Sequence, residues 1–288
     1  MQLAYRWNTF ALLDAGDGEK LERWGRYVLR RPDPQALWPR LQSARYWRQA
    51  DAVYHRSASG GGHWEQPTKL PAQWTIHYDA LRFRIAPTGF KHTGLFPEQA
   101  VNWDWMQQQV RAAKRPVRVL NLFAYTGGAT VALAAAGAHV VHVDAAKRMV
   151  QGARDNADLS GLSAAPIRYL VDDVMKFIQR EQRRGNRYEA IIMDPPHYGR
   201  GPTGECWKLE DALPDLVTRC ASLLADAPLF CLINSYTTGF SPQVAANLLR
   251  QQVQATHGGT VTADEIGLPV QDSDLVLPCG SFGRWVAG

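Results

Sequence analysis

A βαβ pattern in the middle of the chain constrains the fold more than any other feature. Val117–Leu122 is a short, largely apolar run, which predicts a strand buried on both faces of a parallel sheet. A turn at 123–128 leads into a helix of small residues, and a second apolar run, His139–Val143, ends at Asp144. Glycines in the first crossover, with an acid about twenty positions further on, predict a ribose-bearing cofactor over the strand ends.

The composition of the turn restricts the kind of cofactor. A pyrophosphate needs G-x-G-x-x-G, so that backbone N–H groups and a helix N-terminus reach its phosphates. Here the turn reads Asn-Leu-Phe-Ala-Tyr-Thr-Gly-Gly, with Gly127 and Gly128 as its glycines and two aromatic residues where the backbone would have to come close. A cofactor with an amino-acid tail and an adenosine fits better. We expect the paired glycines to let the chain pass close to the tail, and Asp144 to accept hydrogen bonds from both ribose hydroxyls.

Two further predicted strands end in carboxylates. Ile167–Val171 predicts a third strand that ends at Asp172 and Asp173, where an acceptor can take the exocyclic amine of adenine. Glu189–Met193 predicts a fourth strand, which ends in Asp-Pro-Pro. Because parallel strands end at one edge of a sheet, these acids and Asp144 are expected at the same edge.

The Asp-Pro-Pro sequence is a candidate substrate-binding motif. Pro195 and Pro196 lack N–H groups and hold the residue before each of them extended, which leaves the Asp194 carboxylate and the Pro195 carbonyl as acceptors. Such a pair can hold a planar substrate that carries N–H groups. Tyr198 lies in a glycine-rich segment, 197–208, that is expected to be a lid loop, and it is the best candidate to stack on the substrate.

These motifs together resemble those of class I S-adenosylmethionine-dependent methyltransferases. Asn-Leu-Phe-Ala-Tyr-Thr-Gly-Gly, Val-Asp, Asp-Asp-Val and Asp-Pro-Pro-His-Tyr follow one another in the order and spacing of that class. Within it, the chain resembles the bacterial enzymes that methylate cytosine C5 or guanine N7 of 23S ribosomal RNA and carry Asp-Pro-Pro-x-Phe/Tyr. Gly89–Trp103 is similar to the Lys-Thr-Gly segment that precedes their cofactor fold, and the resemblance covers roughly Phe83–Gly239.

The resemblance implies S-adenosylmethionine as the cofactor and a set of residues around it. Lys91, Thr93 and Gln99 are the expected contacts to its amino-acid end. The other expected cofactor contacts are Phe123, Tyr125, Thr126, Gly127, Asp144, Asp173 and Asp194. The expected catalytic residues, which contact the substrate, are Asp194, Pro195 and Tyr198. The scattered cysteines give no reason to expect a metal site.

The predicted fold is α/β with two domains. Residues 86–288 are expected to form the methyltransferase domain, a Rossmann-like sheet of seven mostly parallel strands that ends in an antiparallel hairpin. Residues 1–85 are expected to be a small β-rich domain, because their apolar-aromatic runs are broken by Asp, Gly and Pro and Trp74–Ile85 alternates like a hairpin. The related ribosomal RNA enzymes carry a PUA-type module at this end, which residues 1–60 do not match.

Positive charge is concentrated near the N-terminus. The net charge is +5, and Lys20 to Arg56 holds one Lys and eight Arg against three acids, a net +6, so the remaining residues sum to −1. Arginines between Trp and Tyr residues suit RNA, since Arg contacts phosphates and aromatic rings stack on bases. The alternative is a basic face over a small aromatic core, with Arg stems lying on Trp rings.

The cysteines bear on the chemistry. Methylation of a pyrimidine at C5 needs a thiolate that adds to the ring, and in the cytosine-5 relatives this Cys follows strand five, where the present chain has Ser235 and Tyr236. Cys231 is expected inside that strand as a core residue, which leaves Cys206 as the other candidate nucleophile. Methylation at nitrogen needs chiefly a well-positioned lone pair, and the sequence favours it.

The sequence therefore predicts an enzyme that methylates a nucleobase nitrogen of RNA, with ribosomal RNA as the expected partner. Two alternatives stay open: a methyltransferase of a small molecule or protein side chain, and a non-catalytic RNA-binding protein. A nicotinamide dehydrogenase is disfavoured because the phosphate loop is missing. No apolar run of about eighteen residues and no apolar leader occur, so we expect a cytoplasmic protein without membrane contact, as a monomer or a homodimer.

Overall fold

The computed structural model describes residues 1–57, 61–89, 91–200 and 206–288, which form two compact units. The α/β unit comprises Met1–Gln2, Val101–Ile266 and Gly280–Gly288, and the β-rich unit comprises Leu3–Ala100 and Gly267–Cys279. The predicted boundary between residues 85 and 86 lies inside the β-rich unit. As a boundary between functional domains it stays a prediction.

Short strands are the main regular elements of the first hundred residues, and the sequence predicts such strands for residues 1–85. The elements are β1 (Gln2–Leu3), β2 (Phe10–Gly16), β3 (Glu19–Trp24), β4 (Tyr27–Pro32), α1 (Ala44–Trp47), β5 (Ala52–Arg56), β6 (Gly62–Glu65), β7 (Trp74–Tyr78), β8 (Leu81–Ile85) and a 3-10 turn (Pro97–Gln99). Asp17 and Gly18 both have left-handed backbones between β2 and β3, the conformation that a two-residue hairpin turn requires. β2 to β6 form one sheet, and β7 and β8 form the predicted hairpin.

The rest of the chain alternates strands and helices. The elements are α2 (Ala100–Ala113), β9 (Arg118–Leu122), α3 (Gly128–Ala135), β10 (His139–Asp144), α4 (Lys147–Leu159), β11 (Ile167–Val171), α5 (Val174–Arg184), β12 (Ala190–Met193), β13 (Tyr198–Arg200), β14 (Cys206–Lys208), α6 (Leu209–Ala221), β15 (Phe230–Ser235), α7 (Pro242–Leu249), a π-helical turn (Arg250–Gln254), α8 (Ala255–His257), β16 (Thr260–Pro269) and β17 (Val276–Val286).

The main sheet has the strand order β1-β16-β17-β15-β12-β9-β10-β11. The strands β15, β12, β9, β10 and β11 run parallel, and β17 is antiparallel to β15. All residues of β12 and β15 are buried, as expected for strands covered on both faces. The predicted fold class is confirmed, and the two-residue strand β1 adds an eighth strand at the edge of the seven that the sequence predicts.

A buried polar cluster joins β9 and β10 of this sheet to α3. The side-chain amide of Asn121 donates to the Thr130 hydroxyl at 2.9 Å, and that hydroxyl lies 2.9 Å from Nδ1 of His142. His142 is fully buried, and its Nε2 has no hydrogen-bond partner among the residues that the structure describes. Burial lowers the pKa of His142 to about 3, so the imidazole is neutral in the folded protein.

His142 makes stability depend on pH. Because the folded pKa is below that of an unfolded histidine, the unfolded chain binds more protons between about pH 3 and 6.5, and the free energy of unfolding falls as the pH falls through that window. From pH 6.5 to 5 this one group is expected to cost about 2 kcal/mol. In denaturant titrations at several pH values, His142→Leu should show a shallower loss of stability over this range. An unchanged pH dependence in the variant would contradict the assignment.

Candidate active site

Three strands deliver the candidate residues to one edge of the main sheet. Leu122 lies in register with Val143 of one neighbouring strand and Met193 of the other. The turn 123–128, Asp144 and Asp194 follow these three residues directly. The backbone N–H of Asp194 donates to the Leu122 carbonyl at 3.4 Å, so the ladder continues into the Asp-Pro-Pro sequence. The predicted convergence of these residues at the carboxyl edge is thus observed.

The Asp144 carboxylate is held by the backbone around it. The N–H of Tyr125 donates to one oxygen and the N–H of Ala146 to the other, both at 2.8 Å. Burial raises the pKa of Asp144, and these two hydrogen bonds oppose the increase. A carboxylate oxygen can accept about two hydrogen bonds, so each oxygen keeps capacity for one more donor. The group is oriented as a bidentate acceptor and fits a pair of ribose hydroxyls.

The turn between β9 and α3 has an unusual backbone. Phe123, Tyr125 and Gly127 have φ values of 55°, 51° and 79°, and the first two carry side chains in a region that such residues seldom adopt. Backbone of this kind is concentrated at functional sites. The side-chain amide of Asn156, on α4, donates to the Thr126 carbonyl at 2.9 Å and ties the turn to that helix.

The paired glycines serve packing within the protein. A Cβ atom at Gly127 would lie 2.7 Å from the Cβ of Ala153 on α4, and one at Gly128 would lie 2.6 Å from the Trp103 ring on α2. Both glycines are therefore required by neighbouring helices. The expectation that they let the chain pass close to a cofactor tail stays a prediction. Gly127 also needs the left-handed conformation.

Asp172 and Asp173 both have partners within the protein. Asp173 caps α5, since its carboxylate accepts the Lys176 N–H at 2.9 Å. Asp172 forms an ion pair with Arg180, and its N–H donates to the Asp144 carbonyl at 3.0 Å. These bonds fix the segment beside Asp144, and the contact of Asp173 with adenine stays a prediction.

The residues expected at the amino-acid end of the cofactor belong to the β-rich unit. Thr93 is fully buried, and its hydroxyl has no hydrogen-bond partner within the described part of the chain, so it is available to a polar ligand group. Gln99 is buried, and burial lowers the pKa of the half-buried Lys91. Arg31 donates to the Lys91 carbonyl at 2.7 Å and anchors this segment to the sheet. Contact of the three residues with the cofactor stays a prediction.

The chain after Asp-Pro-Pro forms a two-stranded ribbon, where the sequence predicted a lid loop. β13 and β14 are antiparallel, with Tyr198 opposite Lys208 and Gly199 opposite Trp207. Asp194 is half-buried and Pro195 is buried, whereas the Tyr198 side chain is 51% exposed. The connection 201–205 and the side chain of Cys206, a candidate nucleophile, lie outside the described residues.

Trp207 connects the ribbon to both sides of the site, a role that the sequence did not indicate. Its indole N–H donates to the Pro196 carbonyl at 2.7 Å. Its ring packs on Phe123 with a centroid distance of 5.1 Å. Trp207 thus links the cofactor turn to the Asp-Pro-Pro sequence. The one signal in the sequence is a tryptophan at the end of a glycine-rich segment, which does not reveal either partner.

Trp207→Phe should therefore reduce turnover more than cofactor affinity. Phenylalanine keeps an aromatic ring against Phe123 but cannot donate to the Pro196 carbonyl, and the lost bond is worth about 1 kcal/mol. We expect kcat to fall about fivefold, because this bond positions the Asp-Pro-Pro sequence that would bind the substrate. The Kd for S-adenosylmethionine should be nearly unchanged.

A matched control for that variant lies at the opposite edge of the sheet. The Trp285 indole also donates to a backbone carbonyl at 2.7 Å, that of Gly258. Trp285→Phe should lower the melting temperature and leave kcat unchanged. Equal losses of kcat in the two variants would contradict a positioning role for Trp207.

The end of β15 contains a buried polar network in place of a thiol. The Asn102 amide donates to the Asn234 side chain at 2.9 Å, and the buried Arg284 donates to the Asn102 oxygen at 2.6 Å. Ser235 is buried, and its hydroxyl accepts the Thr237 N–H at 3.2 Å. Cys231 is inside the strand, where burial raises its thiol pKa to about 12. It is a core residue, as predicted.

The N-terminal arginines divide into paired and exposed residues. Ion pairs join Arg30 and Arg40 to Glu19, and Arg31 to the buried Glu22. All three guanidinium groups lie over tryptophan rings. Those of Arg30 and Arg40 lie over Trp47, and that of Arg31 lies over Trp24. These three arginines are therefore held within the β-rich unit by acids and aromatic rings. Other basic residues of the stretch are exposed: Arg45, Arg48 and Arg56.

Within 1–57, 61–89, 91–200 and 206–288, no helix is long and apolar enough to span a membrane. In the same ranges, no group of three or more His, Cys, Asp or Glu side chains is placed to hold a metal ion.

Comparison with known proteins identifies the family. Residues 41–242 match the model of the S-adenosylmethionine-dependent methyltransferase family. The chain belongs to this family. A solved structure of a SAM-dependent methyltransferase from Agrobacterium tumefaciens superposes with a TM-score of 0.93 at 40% identity, over 97% of this chain and 91% of that one. A putative SAM-dependent methyltransferase from Streptococcus mutans, 19% identical with a TM-score of 0.70 over 98% of this chain and 76% of its own, shares the fold.

Curated relatives match over a shorter stretch. The ribosomal RNA large subunit methyltransferase I of Aeromonas salmonicida is 30% identical over 144 residues, 50% of this chain and 35% of that protein. The protein of the same name from Salmonella arizonae is 39% identical over 132 residues, 44% of this chain and 31% of that protein. The chain thus matches about a third of the length of these relatives.

Family membership confirms the predicted class of enzyme and S-adenosylmethionine as its cofactor. The described residues fit this group, because the Asp144 carboxylate is fixed as a bidentate acceptor beside an aromatic turn. In this methyltransferase, Asp144 would hold the ribose, and Phe123, Tyr125, Thr126 and Gly127 would line the cofactor. The individual contacts of these residues stay predictions.

Proposed function

We propose that this methyltransferase acts on a nitrogen atom of an RNA base, with large-subunit ribosomal RNA as the substrate. The observation that carries the proposal is the position of Asp194. Its half-buried carboxylate follows β12 directly beside the cofactor turn, and the exposed aromatic ring of Tyr198 comes four residues later. A carboxylate and a ring in this order can orient the edge and the face of one planar base.

The chain's own residues supply orientation. Bound S-adenosylmethionine supplies a methyl group that its sulfonium already activates, so transfer to nitrogen needs a lone pair held in line and water kept out. Asp194 and the Pro195 carbonyl would accept hydrogen bonds from the N–H groups of the base, and Tyr198 would stack on its face. The segment is anchored by the bond between the Trp207 indole and the Pro196 carbonyl.

The described thiols support nitrogen as the acceptor. Cys220, Cys231 and Cys279 all have pKa values raised by burial, above the range in which a thiolate forms at neutral pH. Ser235 is the last residue of β15 and Tyr236 follows it, in the region where the cytosine-5 relatives carry their nucleophile. A covalent route to a pyrimidine carbon therefore lacks support from these residues.

Two observations favour RNA over other substrates. Curated relatives that are 30% and 39% identical over their matched parts are ribosomal RNA methyltransferases by name. In the β-rich unit, the exposed Arg45, Arg48 and Arg56 provide unburied positive charge that suits a phosphate backbone. We propose this region as an RNA-binding element, and a cytoplasmic location follows from the proposed substrate.

The test is a transfer assay with a labelled methyl donor. Undermodified large-subunit ribosomal RNA, a protein extract and a small-molecule extract would be offered separately, with Asp194→Ala as the inactive control. We expect label in the RNA with the wild-type chain only. Label confined to protein or to small molecules would establish the alternative substrate class, and RNA binding without any transfer would establish a non-catalytic RNA-binding protein.

A further inference from the structure

The ribbon formed by β13 and β14 has two different faces. Side chains alternate between the faces of a strand, and residues directly opposite each other in an antiparallel pair share a face. Tyr198 and Lys208 are opposite each other, and Gly199 and Trp207 are the next pair. Tyr198 and Lys208 therefore project from one face of the ribbon, and Trp207 projects from the other.

The Trp207 face is fixed against the protein. The Trp207 indole donates to the Pro196 carbonyl at 2.7 Å and its ring packs on Phe123. A Cβ atom at Gly199 would meet Pro196 at 3.6 Å and Trp207 at 3.8 Å, so this face also contacts Pro196. Because one face is fixed in this way, the direction of the opposite face is fixed as well.

The other face carries an aromatic ring and a cation next to each other. Tyr198 is 51% exposed and Lys208 is exposed. Directly opposed residues have Cβ atoms about 5 Å apart. Lys208 does not stabilise the helix that it precedes, since a positive charge at the N-terminus of α6 is electrostatically unfavourable. Its charge is exposed and can be reached by a partner outside the chain.

We propose that this face binds one nucleotide unit of a single-stranded RNA segment, with Tyr198 stacked on a base and Lys208 paired with a backbone phosphate. The inference rests on the proposed function and goes beyond it, because it assigns Lys208 a contact with the RNA backbone. A ring beside a cation is the combination that recognises single strands, in which bases are unstacked and phosphates lie within reach of the same surface.

The experiment measures RNA binding and kinetics for three variants. The probe is undermodified large-subunit ribosomal RNA transcribed in vitro, titrated at several salt concentrations. Lys208→Gln should reduce the slope of log affinity against log salt by about 1, as expected for one lost phosphate contact, and should raise KM for RNA severalfold. The affinity for S-adenosylmethionine should not change, and Lys208→Arg should restore the slope.

Lys114→Gln is the matched control. Lys114 is exposed between the end of α2 and the start of β9, at the opposite edge of the sheet, and this substitution removes the same charge. Suppose that the wild-type chain methylates the RNA. If Lys208→Gln then keeps the full salt slope, or loses no more of the slope than Lys114→Gln does, the assignment of Lys208 alone is overturned. A wild-type chain that transfers no methyl group to RNA would overturn the proposed function, and with it this inference.

Discussion

Asp194→Asn is expected to reduce kcat for methyl transfer about 100-fold or more, the size of effect that follows when a substrate is misplaced by about an ångström. The amide keeps the shape of the side chain, but one oxygen acceptor becomes an NH₂ donor. That donor would face the N–H groups of the base, so the substitution introduces repulsion where an attraction is needed. The Kd for S-adenosylmethionine should change by less than about threefold, because Asn keeps one acceptor oxygen.

A control separates this effect from a general loss of charge. Asp226 is exposed in the connection between α6 and β15, at the far edge of the sheet, and Asp226→Asn makes the same chemical change there. Single-turnover rates with saturating cofactor and RNA report the chemical step directly. If Asp194→Asn keeps more than a tenth of the wild-type rate, the role of binding the substrate base has been assigned to the wrong residue.

Asp144→Asn is expected to weaken cofactor binding about 10-fold to 100-fold. Hydrogen bonds to a charged acceptor contribute about 1.5–3 kcal/mol each, and the carboxylate is expected to accept one from each ribose hydroxyl. The amide nitrogen would also oppose the N–H of either Tyr125 or Ala146, both of which donate to the carboxylate at 2.8 Å. The turn beside the cofactor would therefore lose part of its support as well.

Calorimetric titration with S-adenosylmethionine and S-adenosylhomocysteine measures this effect. Asp158→Asn is a suitable control, because Asp158 is exposed on α4. A thermal melt of each variant shows whether the fold is intact. An Asp144→Asn protein that melts like the wild type and binds both ligands with unchanged Kd would contradict the role of Asp144 as the ribose acceptor.

The central strands of the main sheet could be predicted from the sequence because they are buried on both faces and appear as continuous apolar runs, as β12 and β15 do. The edge strand Ile167–Val171 is partly exposed, yet it is found with the bounds that the sequence predicts. The residues that follow these strands could be placed at one edge because parallel strands end at the same edge of a sheet. The ribbon could not be predicted, since β13 and β14 have three residues each and are too short to show an alternating pattern.

Contacts between distant residues were also hidden in the sequence. The sequence does not reveal why residue 128 must be a glycine. In the structure, the Trp103 ring on another helix leaves no room for a side chain there. Likewise, Arg30 pairs with Glu19 across two strands whose register is set by the hairpin between them. A count of charges therefore overstated the positive charge available to RNA in this region.

The most direct measurement is mass spectrometry of the nucleosides from undermodified large-subunit ribosomal RNA after incubation with the chain and S-adenosylmethionine. We predict one new nucleoside that carries its methyl group on a base nitrogen, formed by the wild type and not by Asp194→Asn. A new 5-methylpyrimidine, or an RNA without any new methylated nucleoside, would contradict the account.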